Sequence, residues 1–224
     1  MCSHTLEAAL RAAGAGVLAT DLVMQGRHGA AFCAVRPPGH HATRRHAMGF
    51  CFFNNIAVAA LHALEAHGLK RVAVVDFDVH HGNGTEDIFS DPSFEGRVLM
   101  TGTFQHPFYP YSGTDQPAAN MVNVPLAAGT DGRGFREAFE RICLPALAAF
   151  APQMIFISAG FDAHVEDDMS SLRLTDADYA WVTERIKGIA AGCAQGRIVS
   201  MLEGGYALSA LGRSATLHIK ALAE

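Results

Sequence analysis

Charged side chains are scarce in this chain. Asp, Glu, Lys and Arg make up 17% of its 224 residues, whereas hydrophobic residues make up 50%. The net charge is −5, and basic residues adjoin one another only at Arg44-Arg45 and Lys70-Arg71. A phosphate backbone needs a concentrated positive field, so this pattern argues against a nucleic-acid-binding surface. No apolar run reaches the roughly 18–20 residues that cross a bilayer. The opening residues also lack the basic-then-apolar order of a secretory leader. Cysteine is sparse and scattered: Cys2, Cys33, Cys51, Cys143 and Cys193 are odd in number, with no C-x-x-C spacing. That excludes a disulfide framework from expectation and fits reduced thiols in a cytoplasm.

What the chain holds in excess is glycine, with 22 residues, and histidine, with 12. Imidazole is both a metal ligand and a proton carrier near neutral pH, so the histidines deserve following. The hydrophobic content is ample for one core, and residues 1–224 are expected to form one domain. Leu6, Leu10, Val17 and Leu22 recur at helical spacing among alanines. Further helices are expected over 54–67, ended by Gly68, over 134–150 with an interruption near Pro145, over 176–192 and over 209–222. Apolar strands are expected at 30–35, 71–76, 97–103, 121–126, 153–158 and 197–202, with a long Pro/Tyr/Gly loop over 105–120. Strands alternating with helices imply an α/β fold whose mostly parallel central sheet is sandwiched by helices.

Ligands in such sheets bind beyond the carboxyl ends of the strands. Four strands here run directly into polar clusters: Arg36-Pro-Pro-Gly-His-His41, Asp76-Phe-Asp-Val-His-His81, Ala159-Gly-Phe-Asp-Ala-His164 and Glu203-Gly-Gly-Tyr206. Their convergence on one rim is a stronger signal than any one motif.

The second cluster is the densest. If the strand runs on through it, Asp76, Asp78 and His80 share one face and His81 points away. Three such groups on an apolar strand call for a compensating divalent cation. With Asp162 the set offers Asp, His and Asp donors and room for water, the open arrangement of a catalytic zinc site. Two carboxylates make the set hard enough to keep Fe(II) and Mn(II) in play. Asp162 alone also reads as a helix or turn cap, and Asp78 with His80 as a hydrogen-bonded pair. His40 and His41 sit in a loop stiffened by Pro37, Pro38 and Gly39, which suits a general base; exposed loop histidines are the plainer reading. Asp76 and Asn83 are acceptors able to fix their other ring nitrogens. Tyr206 is either a half-buried aromatic or a phenol donating to an oxyanion. Phe50 and Tyr109 lie in loops on the same side, where they would wall an apolar channel. Cys51, inside Phe50-Cys-Phe-Phe53, has no activating partner and reads as packing.

R-P-P-G-H-H (36–41), G-F-C-F-F-N-N (49–55), D-F-D-V-H-H-G-N-G-T (76–85), S-A-G-F-D-A-H (158–164) and L-E-G-G-Y (202–206) occur in this order. With them the chain resembles the zinc-dependent histone deacetylase family. It is most similar to the bacterial class II-like group of deacetylase-like amidohydrolases, acetylpolyamine amidohydrolases and acetoin-utilisation proteins. The resemblance implies the three-layer α/β/α arginase/deacetylase fold, with the first part of the family fold missing ahead of the opening helix. It implies zinc held by Asp78, His80 and Asp162, and His41 as general base and acid beside His40. Asp76 would hold His40 and Asn83 would hold His41. Tyr206 would polarise the amide carbonyl, with Gly49, Phe50, Tyr109 and Gly204 along the channel. The family's structural potassium lies near the main chain of Asp76, Asp78 and His80; its Ser-x-His segment reads Gly102-Thr103-Phe104 here.

The expected activity is hydrolysis of the acetyl amide of acetyl-lysine, an acetylpolyamine or another small acylated amine. Two alternatives stand beside it: a same-fold binuclear-manganese ureohydrolase, and an inactive metal-binding remnant. Faces left open by the missing part would call for a partner or a second copy of the chain.

Overall fold

The computed structural model describes residues 1–224. Its frame is a six-stranded sheet in the order β1-β6-β5-β2-β3-β4. The strands are β1 (Ala30–Cys33), β2 (Val72–Asp76), β3 (Val98–Gln105), β4 (Met121–Leu126), β5 (Ile155–Ala159) and β6 (Ile198–Leu202). Every neighbouring pair is parallel. The helices are α1 (Thr5–Met24), α2 (Asn55–Glu65), α3 (Asn83–Phe89), α4 (Gly132–Ala138), α5 (Leu144–Phe150), α6 (Asp176–Cys193) and α7 (Leu208–Ala223).

Strand β2 shows why the sequence reads as unbroken apolar runs. Val72 and Val74 pack into one core with Ala19, Ile56 and Phe156, while Ala73 and Val75 pack into the other with Phe139, Tyr179 and Ile186. Both faces are dry, so alternate positions are equally hydrophobic. Helices α1 and α2 cover the first face; α4 to α7 cover the second. The close seat of α1 on α2 depends on Gly16, where a Cβ would stand 3.0 Å from that of Ala59 and 3.2 Å from Met201 Sδ. Asn54 starts α2 by accepting from Ala57 N–H, and Thr175 with Asp178 forms a reciprocal capping box on α6.

One expectation is corrected, one element is added, and the expected helix interruption takes a definite form. The extended strand through His80 does not form, because β2 ends at Asp76. Asp76 Oδ1 accepts from Asp78 N–H at 3.0 Å and Asp78 Oδ1 accepts from His80 N–H at 2.8 Å. Each carboxylate captures the amide two residues ahead and curls the chain out of the sheet. Residues 83–89 form α3, which the hydrophobic pattern did not disclose. The interruption in 134–150 is a π-helical turn, Phe139–Cys143, just ahead of Pro145 in the first turn of α5. It accommodates the proline's missing N–H.

Beneath the sheet, His218 of α7 is fully buried. Its Nδ1 lies 2.6 Å from Thr183 Oγ1 and its Nε2 2.8 Å from Ser200 Oγ. The Thr183 hydroxyl already donates to Tyr179 O, so it accepts from Nδ1–H and Ser200 donates to Nε2. The ring is therefore neutral, and burial pushes it down from 6.5 to about 3. A depressed histidine binds its proton more readily in the unfolded chain, so stability falls as pH drops below about 6.5. Between neutral pH and about pH 5 this group should cost about 2 kcal/mol of unfolding free energy. Denaturant titrations of the protein and of His218→Gln check this: the variant should lose that part of the acid slope, and an unchanged slope would contradict it.

Candidate active site

The four polar clusters follow β1, β6, β5 and β2, which stand side by side in the sheet. Adjacency of parallel strands therefore delivers all four loops to one end.

At the floor of this end lie Asp78, His80 and Asp162, all buried, with one donor atom of each lying within 4.8 Å of the others. His80 Nδ1 is 2.9 Å from Asp78 Oδ1 and 3.2 Å from Asp162 Oδ2. The outer oxygens are already engaged. Val79 N–H donates to Asp162 Oδ1 at 3.0 Å, and Gly204 N–H donates to Asp78 Oδ2 at 2.8 Å. Asp162 Oδ2 is buried and accepts no hydrogen bond. Burial, then the neighbouring Asp78 charge, pushes Asp162 up to about 6. Two buried carboxylates against one imidazole leave an excess negative charge aimed at a single point. An orphaned carboxylate oxygen within a compact Asp/His/Asp donor set fits a divalent cation.

Glycine is obligatory around this pair. A Cβ on Gly160 would fall 2.0 Å from Asp78 Oδ2, and one on Gly204 would fall 2.1 Å from Asp162 Oδ2. The glycine of S-A-G-F-D-A-H and the first glycine of L-E-G-G-Y are space requirements of the carboxylates. Gly49 plays the same part for His41, since its Cβ would meet the imidazole Cδ2 at 2.2 Å.

Next to the cluster the rings of His40 and His41 lie 4.1 Å apart. His40 Nδ1 is 3.0 Å from Asp76 Oδ2. Burial opposes a charge on His40, but Asp76, Asp78 and Glu203 outweigh it and raise its pKa. His41 is pushed down to about 3 by burial and then by His40. Its Nδ1 is 2.7 Å from Asn83 Oδ1, an oxygen that can only accept. His41 thus carries its proton on Nδ1 and leaves Nε2 as the basic atom.

Above these groups opens a cavity of about 400 Å³, with His40, His41, Asp78 and His80 at its base. Its walls are Pro38, Phe50, Phe108, Tyr109, Met169 and the Tyr206 ring. Phe108 stacks on His80 with centroids 5.2 Å apart, and Tyr109 meets His41 edge-on at 5.3 Å. Phe50 holds a left-handed backbone, φ 64°, and stays 69% exposed at the mouth. A bulky residue in that conformation is strained, as occurs where a side chain must be held at a site. Burial and the nearby Asp162 and Asp78 charges raise the Tyr206 pKa, so its hydroxyl stays protonated.

The profile of the histone deacetylase domain matches residues 1–222. The chain belongs to the histone deacetylase family. It is 40% identical to the chloroplastic histone deacetylase 14 of Arabidopsis thaliana, over 98% of this chain and 54% of that protein. A histone deacetylase-like amidohydrolase of Pseudomonas aeruginosa is 41% identical over 89% of this chain and 54% of its own length. The crystal structure of the HDA15 HD domain superposes with a TM-score of 0.88 at 40% identity, covering 96% of this chain and 62% of that one. The chain spans about half the length of these curated relatives. Deacetylases of a plant and a bacterium are equally near, so the similarity does not single out the bacterial group.

Two buried acids beside this cavity were not singled out in the sequence. Glu203 accepts from the backbone N–H of Gly39 at 2.7 Å and of His40 at 3.1 Å, pinning the histidine loop to the end of β6. Asp167 accepts from Tyr206 N–H and Ala207 N–H at 2.6 and 2.9 Å, fixing the backbone beneath the phenol. The Glu in L-E-G-G-Y was a readable signal, because a carboxylate at the end of an apolar strand needs donors. Asp167, in an acidic loop, offered none.

Removing a donor tests the cluster. Asp162→Ala should lose stoichiometric metal, measured by elemental analysis of the purified protein. Retained metal at one equivalent would rule Asp162 out as a required ligand.

Proposed function

We propose that this chain is a metal-dependent deacetylase that hydrolyses the acetyl amide of acetyl-lysine, an acetylpolyamine or another small acylated amine. One observation carries the reading: an apolar cavity that ends on a buried three-donor cluster, with a neutral imidazole and a protonated phenol on its walls. Zinc is the metal this reading assigns to Asp78, His80 and Asp162, with Fe(II) the next candidate and a structural potassium near the main chain of the same loop. When bound, zinc would supply Lewis-acid polarisation of the acyl carbonyl and a lowered pKa for water.

The protein groups divide the remaining work. Phe50, Phe108 and Tyr109 enclose the aliphatic stem of the amine and exclude bulk water from the amide. His41 Nε2 accepts a proton from the attacking water, while Asn83 holds the opposite nitrogen. Asp76 orients His40, whose positive charge offsets the two carboxylates next to it. Tyr206 donates a hydrogen bond to the carbonyl oxygen as negative charge develops there. The C–N bond then breaks, the departing nitrogen takes the proton from His41, and acetate and a free amine result. Asp76 Oδ1 and Oδ2 are occupied by Asp78 N–H and His40, which counts against a second metal and the manganese ureohydrolase reading.

No helix is long and apolar enough to cross a membrane. The same proposal places the protein in the cytoplasm, a reading that five free thiols support, and includes association with a second copy of the chain.

Turnover of a fluorogenic acetyl-lysine substrate tests the assignment. Tyr206→Phe should lower kcat by about 10²-fold or more with metal content unchanged, as removal of an oxyanion donor does. Near wild-type turnover in that variant would refute the role given to the phenol. Bound metal with no turnover in the unmutated protein would favour the remnant.

A further inference from the structure

A second set of metal-type donors lies away from the catalytic end. Asp21 is in the last turn of α1, His62 in the last turn of α2, and His67 in the turn that leads toward β2. Both His62 Nε2 and His67 Nε2 lie 2.7 Å from the same atom, Asp21 Oδ1. The two rings stand nearly perpendicular, at 88°, with centroids 5.2 Å apart. The donor atoms all fall within 4.8 Å of one another. From these observations we propose that Asp21, His62 and His67 form a zinc-binding site that clamps α1 to the end of α2, separate from the catalytic cluster.

Three features make this more than a surface hydrogen-bond pair. The first is electrostatic. The carboxyl ends of α1 and α2 meet here, and the carbonyl ends of both helices carry partial negative charge. An Asp in the last turn of a helix is therefore unfavourably placed, and α1 has no basic residue in its last turn to offset it. A dication between the two ends neutralises Asp21 and both helix termini together. The second is backbone definition. Leu69 N–H bonds back to Ala63 O at 3.2 Å across Gly68, whose φ is +68°. This reversal at a left-handed glycine fixes His67 one residue ahead of it, and Gly16 against Ala59 fixes α1 against α2. The donors thus sit on rigid elements.

The third feature is the donor chemistry. Two imidazoles and one carboxylate suit zinc among first-row divalent ions, whereas calcium and magnesium select all-oxygen sets. Tetrahedral zinc with bonds of about 2.0–2.1 Å separates its ligand atoms by about 3.3 Å, so Oδ1 and each Nε2 need part by only about 0.6 Å. All three side chains are half-buried, which permits that movement and leaves an open face for water to complete the coordination. His67 lies on the approach to β2, while the catalytic cluster follows the other end of that strand. The two sites are thus at opposite ends of the sheet.

Metal content measured on the full, untagged chain tests the proposal. The protein is stripped with a chelator, equilibrated with zinc alone, freed of excess and analysed for zinc per chain. Wild type should hold one equivalent more than His67→Gln, and Asp21→Asn should match His67→Gln. Asp162→Ala, assayed in parallel, should lose a different equivalent, so that Asp162→Ala/His67→Gln holds none. Failure of the catalytic assignment is distinguishable, because the wild-type excess over His67→Gln then persists with Asp162→Ala unchanged. Thermal melting supplies the second readout: zinc should raise the Tm of the Asp162→Ala protein and leave that of the double variant unmoved. Equal zinc in wild type and His67→Gln, or a zinc-induced Tm shift unaffected by His67→Gln, overturns the proposal.

Discussion

Two carboxylates buried against each other govern this structure. Asp78 and Asp162 are both shut off from solvent, and each would be costly to bury charged without partners. The fold answers with backbone donors from separate loops, Val79 N–H for Asp162 and Gly204 N–H for Asp78, and with the His80 ring between them. One oxygen, Asp162 Oδ2, has the His80 ring as its neighbour at 3.2 Å but accepts no hydrogen bond. Much of the surrounding architecture follows from keeping that arrangement intact. Gly160 and Gly204 are bare because the oxygens occupy the space of their side chains.

The sheet makes such a concentration of polar groups affordable. Strands buried on both faces supply a rigid apolar platform, and the side chains that dislike that environment are expelled to the strand ends. Because β1, β6, β5 and β2 are neighbours, the expelled groups meet one another there. Glu203 then ties two of the loops together, accepting from Gly39 and His40 across 164 and 163 residues of sequence and from Ser158 Oγ at 3.1 Å. The same logic of opposed charge and fixed backbone operates at the other end of the sheet, where helix termini and Asp21 face two histidines. There the groups are half-buried, so solvent screens what full burial magnifies around Asp78 and Asp162.

Much of the fold was legible because its periodicities are strong. The apolar runs located all six strands, with boundaries displaced by at most two residues. Helix α3 escaped notice because Asn83–Phe89 is short and opens with Asn-Gly-Thr, residues that usually mark turns. The strand extension through His80 failed for a related reason: alternation describes a strand only while the backbone bonds to its neighbours. Here Asp76 and Asp78 use their own side chains to capture those amides.

The sequence by itself determined which chemical groups stand at the strand ends, and its ordered motifs pointed to a deacetylase-like site. Those facts are local, written in adjacent residues and in the switch from apolar to polar character. Tertiary structure alone decided which groups meet. Asp162 joins Asp78 and His80 although 82 residues separate it from His80, while Asp76, two positions from Asp78, turns to His40 instead. Asp21 likewise reaches His62 and His67 across 41 and 46 residues, a meeting that no spacing announced. The reason is physical: strand order and helix seating are set by burial of apolar faces, and polar side chains meet where those faces deliver them.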